Sequence, residues 1–167
     1  RGYGGQPDQD VTIVSDGKAL HVGPTQAGDE PVLLAGQVAG VPVIVSRNRG
    51  LAALRAISSS GADVLILDDG FQHHRLHRDL DLLTFDADFG LGNGKILPRG
   101  PLREPLAGMQ RADAIIDIGG PVSPAVETEI QRFGAGASRF RAHRRPVSLG
   151  NLRGDVRVQP SVLRGMK

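Results

Sequence analysis

Cysteine is absent from the 167-residue sequence, and aromatic residues make up only 4% of it. Without cysteine the chain has no disulfide bonds and no thiolate metal sites, which fits a reducing compartment. With so few aromatics, the core must consist mainly of Val, Leu, Ile and Ala. Proteins that bind single-stranded nucleic acid stack bases on aromatic rings, so the scarcity of these rings predicts no nucleic-acid partner.

Long apolar runs are missing as well. The longest apolar stretch covers residues 32–45, but Gln37, Gly40 and Pro42 interrupt it. It falls short of the roughly 20 residues that a membrane-spanning helix needs. The chain also opens with Arg1 instead of Met and shows no apolar signal-peptide segment, so we expect a fragment or a processed product.

Acidic and basic residues nearly balance, since the formal net charge is only +2. The small arginine excess is uneven, however, and crowds the last third of the chain. Its members are Arg139, Arg141, Arg144, Arg145, Arg153, Arg157 and Arg164. Such a group can bind phosphate or an anionic membrane surface, or it can simply be solvated, and the sequence leaves both interpretations open.

Short apolar runs alternate with helical patterns along the chain. Strands are predicted at residues 11–14, 43–45, 64–67, 80–85, 114–118 and 138–142, and helices at residues 29–40, 49–59 and 123–133. This alternation predicts an α/β fold of one domain, with a mostly parallel sheet and flanking helices. Asp29 and Ser123 are predicted N-caps, and Gly61 is predicted to end the second helix. Residues 89–105 are rich in glycine and proline, which predicts a long loop.

Two adjacent carboxylates, Asp68 and Asp69, follow the predicted strand at residues 64–67. Ligands of open parallel sheets bind beyond the carboxyl ends of the strands. Mg²⁺ binds proteins through one or two carboxylates together with phosphate oxygens and water, so this pair is a candidate metal site. The alternative is that one aspartate caps a turn with Gly70 while the other faces solvent.

Three histidines, His73, His74 and His77, lie just beyond the acidic pair. The arginines among them, Arg75 and Arg78, would repel a metal ion. The histidines are therefore candidates for hydrogen bonds to phosphate, or they belong to a solvated loop.

A second acidic pair, Asp29 and Glu30, stands at a predicted helix start. There it can act as a general base or simply favour the helix N-terminus. In the predicted long loop, Lys95, Arg103 and backbone N–H groups have the composition of an anion cradle. Glycine-rich loops alone are weak signals, and no G-x-x-x-x-G-K-[ST] string occurs in the chain.

Several strings together resemble the tetraacyldisaccharide 4'-kinase family of the lipid A pathway in Gram-negative bacteria. They are RGYGG at residues 1–5, GDEP at 28–31, LDDGFQHH at 67–74, RDLD at 78–81, GNG at 92–94 and LPRGPLREPL at 97–106. They occur in the family's order and at its approximate spacing over about residues 1–118. The two longest strings, which contain DDGFQH and GPLREP, are the most specific.

The resemblance implies a P-loop NTPase-like fold and a lipid-linked sugar as substrate. The family transfers the γ-phosphate of ATP, with Mg²⁺, to the 4'-hydroxyl of a tetraacylated glucosamine disaccharide 1-phosphate. It works peripherally at the cytoplasmic face of the inner membrane. We expect the same cofactors, partner and location for this chain, and a monomeric state.

The resemblance also implies a role for individual residues. Asp29 would take the proton of the 4'-hydroxyl, and Glu30 would support it. Asp68 and Asp69 would order Mg²⁺ and its waters, as a pair at the end of a strand does in P-loop enzymes.

Three further positions complete the implied site. Gln72 and His73 would lie near the nucleotide and acceptor phosphates, with His73 counted among the catalytic residues. Arg103 would contact a substrate or position its loop, and it is counted with Gln72 among the residues that bind the nucleotide.

The chain departs from the family pattern in two places, and one of them bears on its expected domain organisation. The family's phosphate loop normally lies shortly before the RGYGG string, so the P-loop-like domain is expected to be incomplete. Residues 1–149 are interpreted as its central part and residues 150–167 as a connection toward a smaller domain. We expect the isolated chain to be inactive or nearly so. Asn48 also stands where many relatives have an aspartate.

Two other functions remain open from the residues alone. The first is a non-catalytic α/β module that binds nucleotide or anionic lipid through its arginines. The second is a metal-dependent hydrolase that uses Asp68, Asp69 and His73, although the sequence offers no further ligands for it.

Overall fold

The computed structural model describes residues 10–150 and 156–164. The chain forms two compact units that divide between His77 and Arg78. The RGYGG string at residues 1–5 lies outside the described residues, as do parts of the predicted connection at residues 150–167.

The first unit contains two strands and three helices. They are β1 (Val11–Ser15), α1 (Pro24–Ala27), α2 (Asp29–Gln37), β2 (Val43–Ser46) and α3 (Arg49–Ser60). The strands predicted at residues 11–14 and 43–45 and both predicted helices therefore form, and α1 is additional. Apolar side chains make a small core between these elements, namely those of Val14, Ala27, Val43 and Val45.

The pairing of β1 with β2 is antiparallel, with Thr12 opposite Val45 and an irregularity between Ile13 and Ser15. The expectation of a mostly parallel sheet is wrong for this pair. Alternating strands and helices predict parallel neighbours only when each helix crosses over a sheet to the next strand. Here the chain between β1 and β2, which includes α1 and α2, returns alongside β1 in the opposite direction.

Local capping explains where the helices of this unit begin and end. The Asn48 side chain accepts hydrogen bonds from the backbone N–H groups of Gly50 and Leu51, so it caps the N-terminus of α3. Gly61 ends α3 in the left-handed conformation, with φ of 66°, as predicted. Asp29 is the first residue of α2 and not its N-cap, because Gly28 occupies that position.

The strand predicted at residues 64–67 does not form. Those residues are not assigned to a strand, and none of the strands in the described ranges pairs with them. The side chains of Val64 and Ile66 are 73% and 92% exposed. Apolar and β-branched composition favours a strand, but a strand also needs a neighbour for its backbone hydrogen bonds, which composition cannot supply.

The second unit contains a parallel sheet in the order β3-β4-β5. Its strands are β3 (Leu82–Asp86), β4 (Ala114–Ile118) and β5 (Ser138–Ala142), and α4 (Pro124–Phe133) connects the last two. The register aligns Leu82 with Ala114 and Ala114 with Ser138. The predicted parallel α/β architecture is thus confirmed in this unit. Ser123 caps α4 through the N–H of Val126, as predicted.

The middle strand of this sheet carries a buried carboxylate. Ile115 is fully buried, and Asp117 on the same strand is only 3% exposed. The guanidinium of Arg139 on β5 donates to both carboxylate oxygens of Asp117 at 2.8 Å. It also reaches Glu127 on α4 at 3.3 Å. This ion pair compensates the buried charge and joins two strands to the helix between them.

The remaining elements are short. A 3₁₀ helix covers Leu106–Arg111, strands β6 (Leu149–Gly150) and β7 (Arg157–Val158) pair antiparallel, and a second 3₁₀ helix covers Pro160–Leu163. The loop predicted at residues 89–105 contains neither helix nor strand, apart from a single bridge between Ile96 and Leu102. None of the helices in the described ranges is long and apolar enough to span a membrane.

Candidate active site

The first acidic pair stands at the start of α2. Asp29 and Glu30 occupy the first two positions of the helix, and both side chains are exposed. Gly28 precedes them with φ of 90° and ψ of 160°, a conformation that suits glycine. The positive end of the helix dipole favours negative charge here. Two solvent-accessible carboxylates are therefore presented on a fixed backbone, as a proton acceptor requires.

The second acidic pair forms a tight turn. Asp68 and Asp69 are both exposed, and Asp69 has φ of 51°, in the left-handed region that aspartate adopts more readily than most residues. Gly70 follows and is buried. A Cβ at Gly70 would lie 2.8 Å from the Cβ of Leu67, so only glycine lets the chain fold back this closely. The turn holds both carboxylates outward.

Arg49 holds this turn from the N-terminus of α3. Its Nη2 atom donates to the carbonyl oxygens of Asp68 and Asp69, at 3.2 Å and 2.9 Å. From the sequence, Arg49 is predicted only to begin a helix. A cation at a helix N-terminus is unfavourable for the helix dipole, which is the one sequence signal for a role elsewhere.

Gln72 and His73 follow the acidic turn. The backbone N–H of His73 donates to the carbonyl oxygen of Gly70 at 2.8 Å, so the chain turns again. Gln72 and His73 are half-buried, whereas His74 is exposed. The predicted residues from Asp68 to His73 are therefore brought together on two consecutive turns.

The two acidic pairs belong to the same unit but are not bonded to each other. Within the described residues, no hydrogen bond or ion pair joins Asp29 or Glu30 to the segment at residues 68–73. No group of three or more His, Asp or Glu side chains in the described ranges is placed to hold a metal ion.

The chemistry of the acidic turn fits Mg²⁺. The ion takes one or two carboxylates and completes its shell with water and phosphate oxygens. Asp68 and Asp69 are exposed, so their oxygens are accessible to a hydrated ion. The guanidinium of Arg49 is directed at carbonyl oxygens of the turn.

Arg103 lies in the second unit, between two residues that make hydrogen bonds of their own. The N–H of Leu102 donates to the carbonyl oxygen of Lys95 at 3.1 Å. Glu104 accepts two hydrogen bonds from Arg111, at 3.0 Å and 2.8 Å. Arg103 itself is exposed between these two anchored neighbours.

Two members of the C-terminal arginine group are already neutralised by carboxylates. Arg139 pairs with Asp117 and Glu127, and Arg144 pairs with Asp86 at 3.0 Å. The backbone N–H of Asp88 lowers the pKa of Asp86, and Arg144 adds to this effect. Arg153 lies outside the described residues. The idea of a single phosphate-binding arginine patch is weakened accordingly.

A depression of about 580 Å³ in the first unit lies between β1, Val22, Gln26 and Arg55. None of the predicted site residues lines it. Its walls carry no acidic pair of the kind found at α2 or at the acidic turn, so we assign it no role in the chemistry.

The fold as a whole defines the class of protein. The structure matches the crystal structure of LpxK from Aquifex aeolicus in complex with ATP, with a TM-score of 0.74 and 34% sequence identity. The match covers 99% of this chain and 49% of that chain. The chain thus has the α/β fold of a P-loop kinase, which confirms the predicted fold class.

Comparison of sequences gives the family. The family model described as "LpxK: Tetraacyldisaccharide-1-P 4'-kinase" matches residues 1–165, and the chain belongs to this family. The tetraacyldisaccharide 4'-kinase of Syntrophus aciditrophicus is 43% identical over 99% of this chain, and that of Geobacter sulfurreducens is 42% identical over all of it. The chain covers 47% and 46% of these two relatives, so it spans about half their length.

Proposed function

We propose that this chain contributes catalytic residues to an ATP-dependent tetraacyldisaccharide 4'-kinase of lipid A biosynthesis. The observation that carries the proposal is the family match over residues 1–165, within which both acidic pairs, Gln72, His73 and Arg103 all fall. The substrate would be tetraacyldisaccharide 1-phosphate, and the product would carry a new phosphate ester at the 4'-oxygen.

Asp29 is the proposed proton acceptor. As the acceptor hydroxyl attacks the γ-phosphorus of ATP, a carboxylate oxygen of Asp29 takes its proton and ADP leaves with the oxygen that bridged the β- and γ-phosphates. Phosphoryl transfer depends mainly on positioning and charge stabilisation. The exposure of Asp29 at the first turn of α2 supports this role, because its carboxylate is accessible to a hydroxyl. Glu30 supports the charge of Asp29 and the orientation of the acceptor.

Asp68 and Asp69 are the proposed Mg²⁺ ligands, directly or through water. When bound, Mg²⁺ neutralises the negative charge that develops on the phosphate oxygens. The residues of this chain supply a fixed acidic turn, which Arg49 holds through its carbonyl groups. Gln72 and His73 donate hydrogen bonds to phosphate oxygens, and Arg103 binds an anionic group of a substrate.

The test of this proposal is Asp29→Asn in the full open reading frame that contains these residues. Asparagine keeps the shape of the side chain but cannot accept the proton. We expect the transfer of labelled phosphate from ATP to the acylated disaccharide to fall at least about a hundredfold, the range typical of lost general-base catalysis. Binding of Mg·ATP, measured by calorimetry, should stay within about twofold.

Asp88→Asn is the matched control, because Asp88 is also exposed and its side chain accepts no recorded hydrogen bond among the described residues. Its turnover should equal that of the unchanged protein. If Asp29→Asn turns over normally, Asp29 is not the base. If the unchanged protein binds ATP but transfers no phosphate to the disaccharide, the chain belongs to a binding module and not to a kinase.

The location and the state of the protein complete the proposal. We infer a monomer that associates peripherally with the cytoplasmic face of the inner membrane, where an acylated disaccharide is accessible. The 167-residue chain alone should transfer phosphate slowly or not at all, because it contains no G-x-x-x-x-G-K-[ST] string to cradle the nucleotide. Full turnover by the 167-residue chain would contradict that expectation.

A further inference from the structure

The loop at residues 89–103, called here the basic-apolar loop, has an unusual composition for a solvent-exposed segment. It contains three cations, Lys95, Arg99 and Arg103, and no acidic residue. Three large apolar side chains are exposed in the same segment. Phe89 is 83% exposed, Leu97 62% and Ile96 41%. Charges of one sign therefore lie among apolar side chains that are largely exposed to solvent.

The loop is held in one conformation by its own hydrogen bonds. The Asn93 side chain donates to the carbonyl oxygen of Arg99 at 2.8 Å and accepts from the N–H of Lys95 at 3.0 Å. The N–H of Leu97 donates to the carbonyl oxygen of Leu102 at 2.9 Å. Gly92 and Gly100 leave no room for a side chain, because a Cβ at either position would collide with Pro101 or with Asn93.

Two of the three cations have no recorded acidic partner in the part of the chain that the structure describes. No ion pair is recorded for Lys95 or Arg99 within the described ranges, and both side chains are exposed. The charged residues that flank the loop behave differently, because Glu104 pairs with Arg111 and Asp86 pairs with Arg144. Glu104 and Asp86 are thus engaged elsewhere, and the exposed Asp88 next to Phe89 forms no recorded ion pair with Lys95 or Arg99 within the described ranges.

We propose that the basic-apolar loop docks on the surface of an anionic lipid bilayer. Phe89 and Leu97 enter the region between headgroups and acyl chains, while Lys95 and Arg99 contact lipid phosphates. Apolar side chains interleaved with cations are the combination that interfacial membrane binding uses. A free phosphate or nucleotide would bind the cations but would leave Phe89 and Leu97 exposed to water.

A preformed loop suits this role. The hydrogen bonds and the two crowded glycines fix the backbone before any lipid is bound, so docking orders few additional residues. The proposal deepens the peripheral location proposed above. Its assays contain no nucleotide, so it can fail while the kinase proposal stands, and the kinase proposal can fail while it stands.

The first test is co-sedimentation of the 167-residue chain with vesicles of phosphatidylglycerol and phosphatidylethanolamine in equal parts. Lys95→Gln with Arg99→Gln should weaken partitioning about fivefold for each charge removed. Phe89→Ser with Leu97→Ser should weaken it by about tenfold or more, because the inserted apolar surface is lost. All four side chains are exposed, so circular dichroism should show an unchanged fold.

Arg141→Gln with Arg145→Gln is the matched control, because it removes the same charge from two exposed arginines outside the loop. It should weaken partitioning by less than twofold. The proposal is overturned if this control matches the loss of the Lys95 and Arg99 pair, or if the serine pair has no effect. The second outcome would indicate an anion site without insertion. Absence of binding by the unchanged chain would overturn it as well.

The second test uses a substitution that is expected to keep membrane binding intact. The chain contains no tryptophan, so Phe89→Trp introduces a single indole at the loop, which can be excited selectively. Its emission should shift to shorter wavelength when the vesicles are added, because the ring leaves water. Phe140→Trp is the control, since Phe140 is 57% exposed on β5 and outside the loop. Equal shifts, or no shift at position 89, would overturn the proposal.

Discussion

Replacing Arg49 by methionine removes the two hydrogen bonds that hold the acidic turn. Its Nη2 atom donates to the carbonyl oxygens of Asp68 and Asp69, at 3.2 Å and 2.9 Å. Methionine keeps much of the length of the side chain and its apolar stem but cannot donate. The carboxylates of the turn remain in the chain, so the substitution perturbs only their positioning.

The size of the effect follows from the geometry. Hydrogen bonds from a charged donor contribute about 1.5–3 kcal/mol when well formed and shielded. Arg49 is half-buried and one of its two bonds is long, so about 1 kcal/mol each is the appropriate value. The left-handed φ of 51° at Asp69 is present with either residue at position 49, so its cost cancels in the comparison. In Arg49→Met the free energy of opening the turn should therefore be about 2 kcal/mol lower, so the open state should be about thirtyfold more populated.

Hydrogen exchange at the amide of His73 measures this opening, because that N–H donates to Gly70 within the same pair of turns. We expect about thirtyfold faster exchange in Arg49→Met. Arg47→Met is the matched control, since Arg47 is exposed two residues away and no bond of its side chain is recorded in the described ranges. Arg49→Lys, which keeps the charge but loses the planar guanidinium, should fall between the two.

The result that would refute this reasoning is equal exchange in Arg49→Met and Arg47→Met. The acidic turn would then be held by its own backbone, with Gly70 as its main determinant. In the full open reading frame, Arg49→Met should weaken the affinity for Mg²⁺ more than the affinity for the acylated disaccharide.

Three further predictions concern stability. Arg139→Met leaves the carboxylate of Asp117 buried without its partner, so urea titration should show about 3 kcal/mol less stability of the second unit, and Asp117→Asn in addition should restore part of it. Gly70→Ala places a Cβ 2.8 Å from that of Leu67 and should cost about 1–3 kcal/mol, again measured in urea. The backbone N–H groups of Ala19 and Lys18 donate to the carboxylate of Asp16 and lower its pKa from 3.8 to about 2. Because the folded pKa lies below the unfolded one, this stabilisation is present above pH 3.8 and is lost as the pH falls toward 2, so Asp16→Asn should flatten that part of the stability profile.

Elements with a local cause were predictable from sequence. Helix α3 covers Arg49–Ser60 against a prediction of 49–59, because its apolar spacing and Gly61 define both the helix and its end. Helix α4 begins after Ser123, whose side chain accepts the hydrogen bond that its type predicts. Both acidic pairs are exposed, as charged side chains without a buried partner usually are, while their roles stay predictions.

Features that depend on distant partners were not predictable. Nothing in the order of residues indicates that Asp117 meets Arg139, since the pair forms only when two parallel strands are in register. Arg49 lies 19 residues before Asp68 in the chain, so their contact depends on how the folded chain brings α3 beside the acidic turn. The antiparallel pairing of β1 and β2 depends likewise on the path of the chain between them.

The exposed run at residues 64–67 has a consequence for solubility. Val64 and Ile66 present apolar, β-branched side chains on a backbone that pairs with none of the strands in the described ranges, which is the pattern of an aggregation-prone segment. Asp63 and Asp68 flank this run, and both are exposed. Charged residues in such positions act as gatekeepers against self-association.

Asp68 therefore has a second effect on the protein besides any part in binding a metal ion. Neutralising it in Asp68→Asn removes one of two gatekeepers, so soluble protein should decrease together with activity. Asp69→Asn leaves both gatekeepers in place. A comparison of the two variants by sedimentation velocity separates the loss of a ligand from the loss of a monomeric protein.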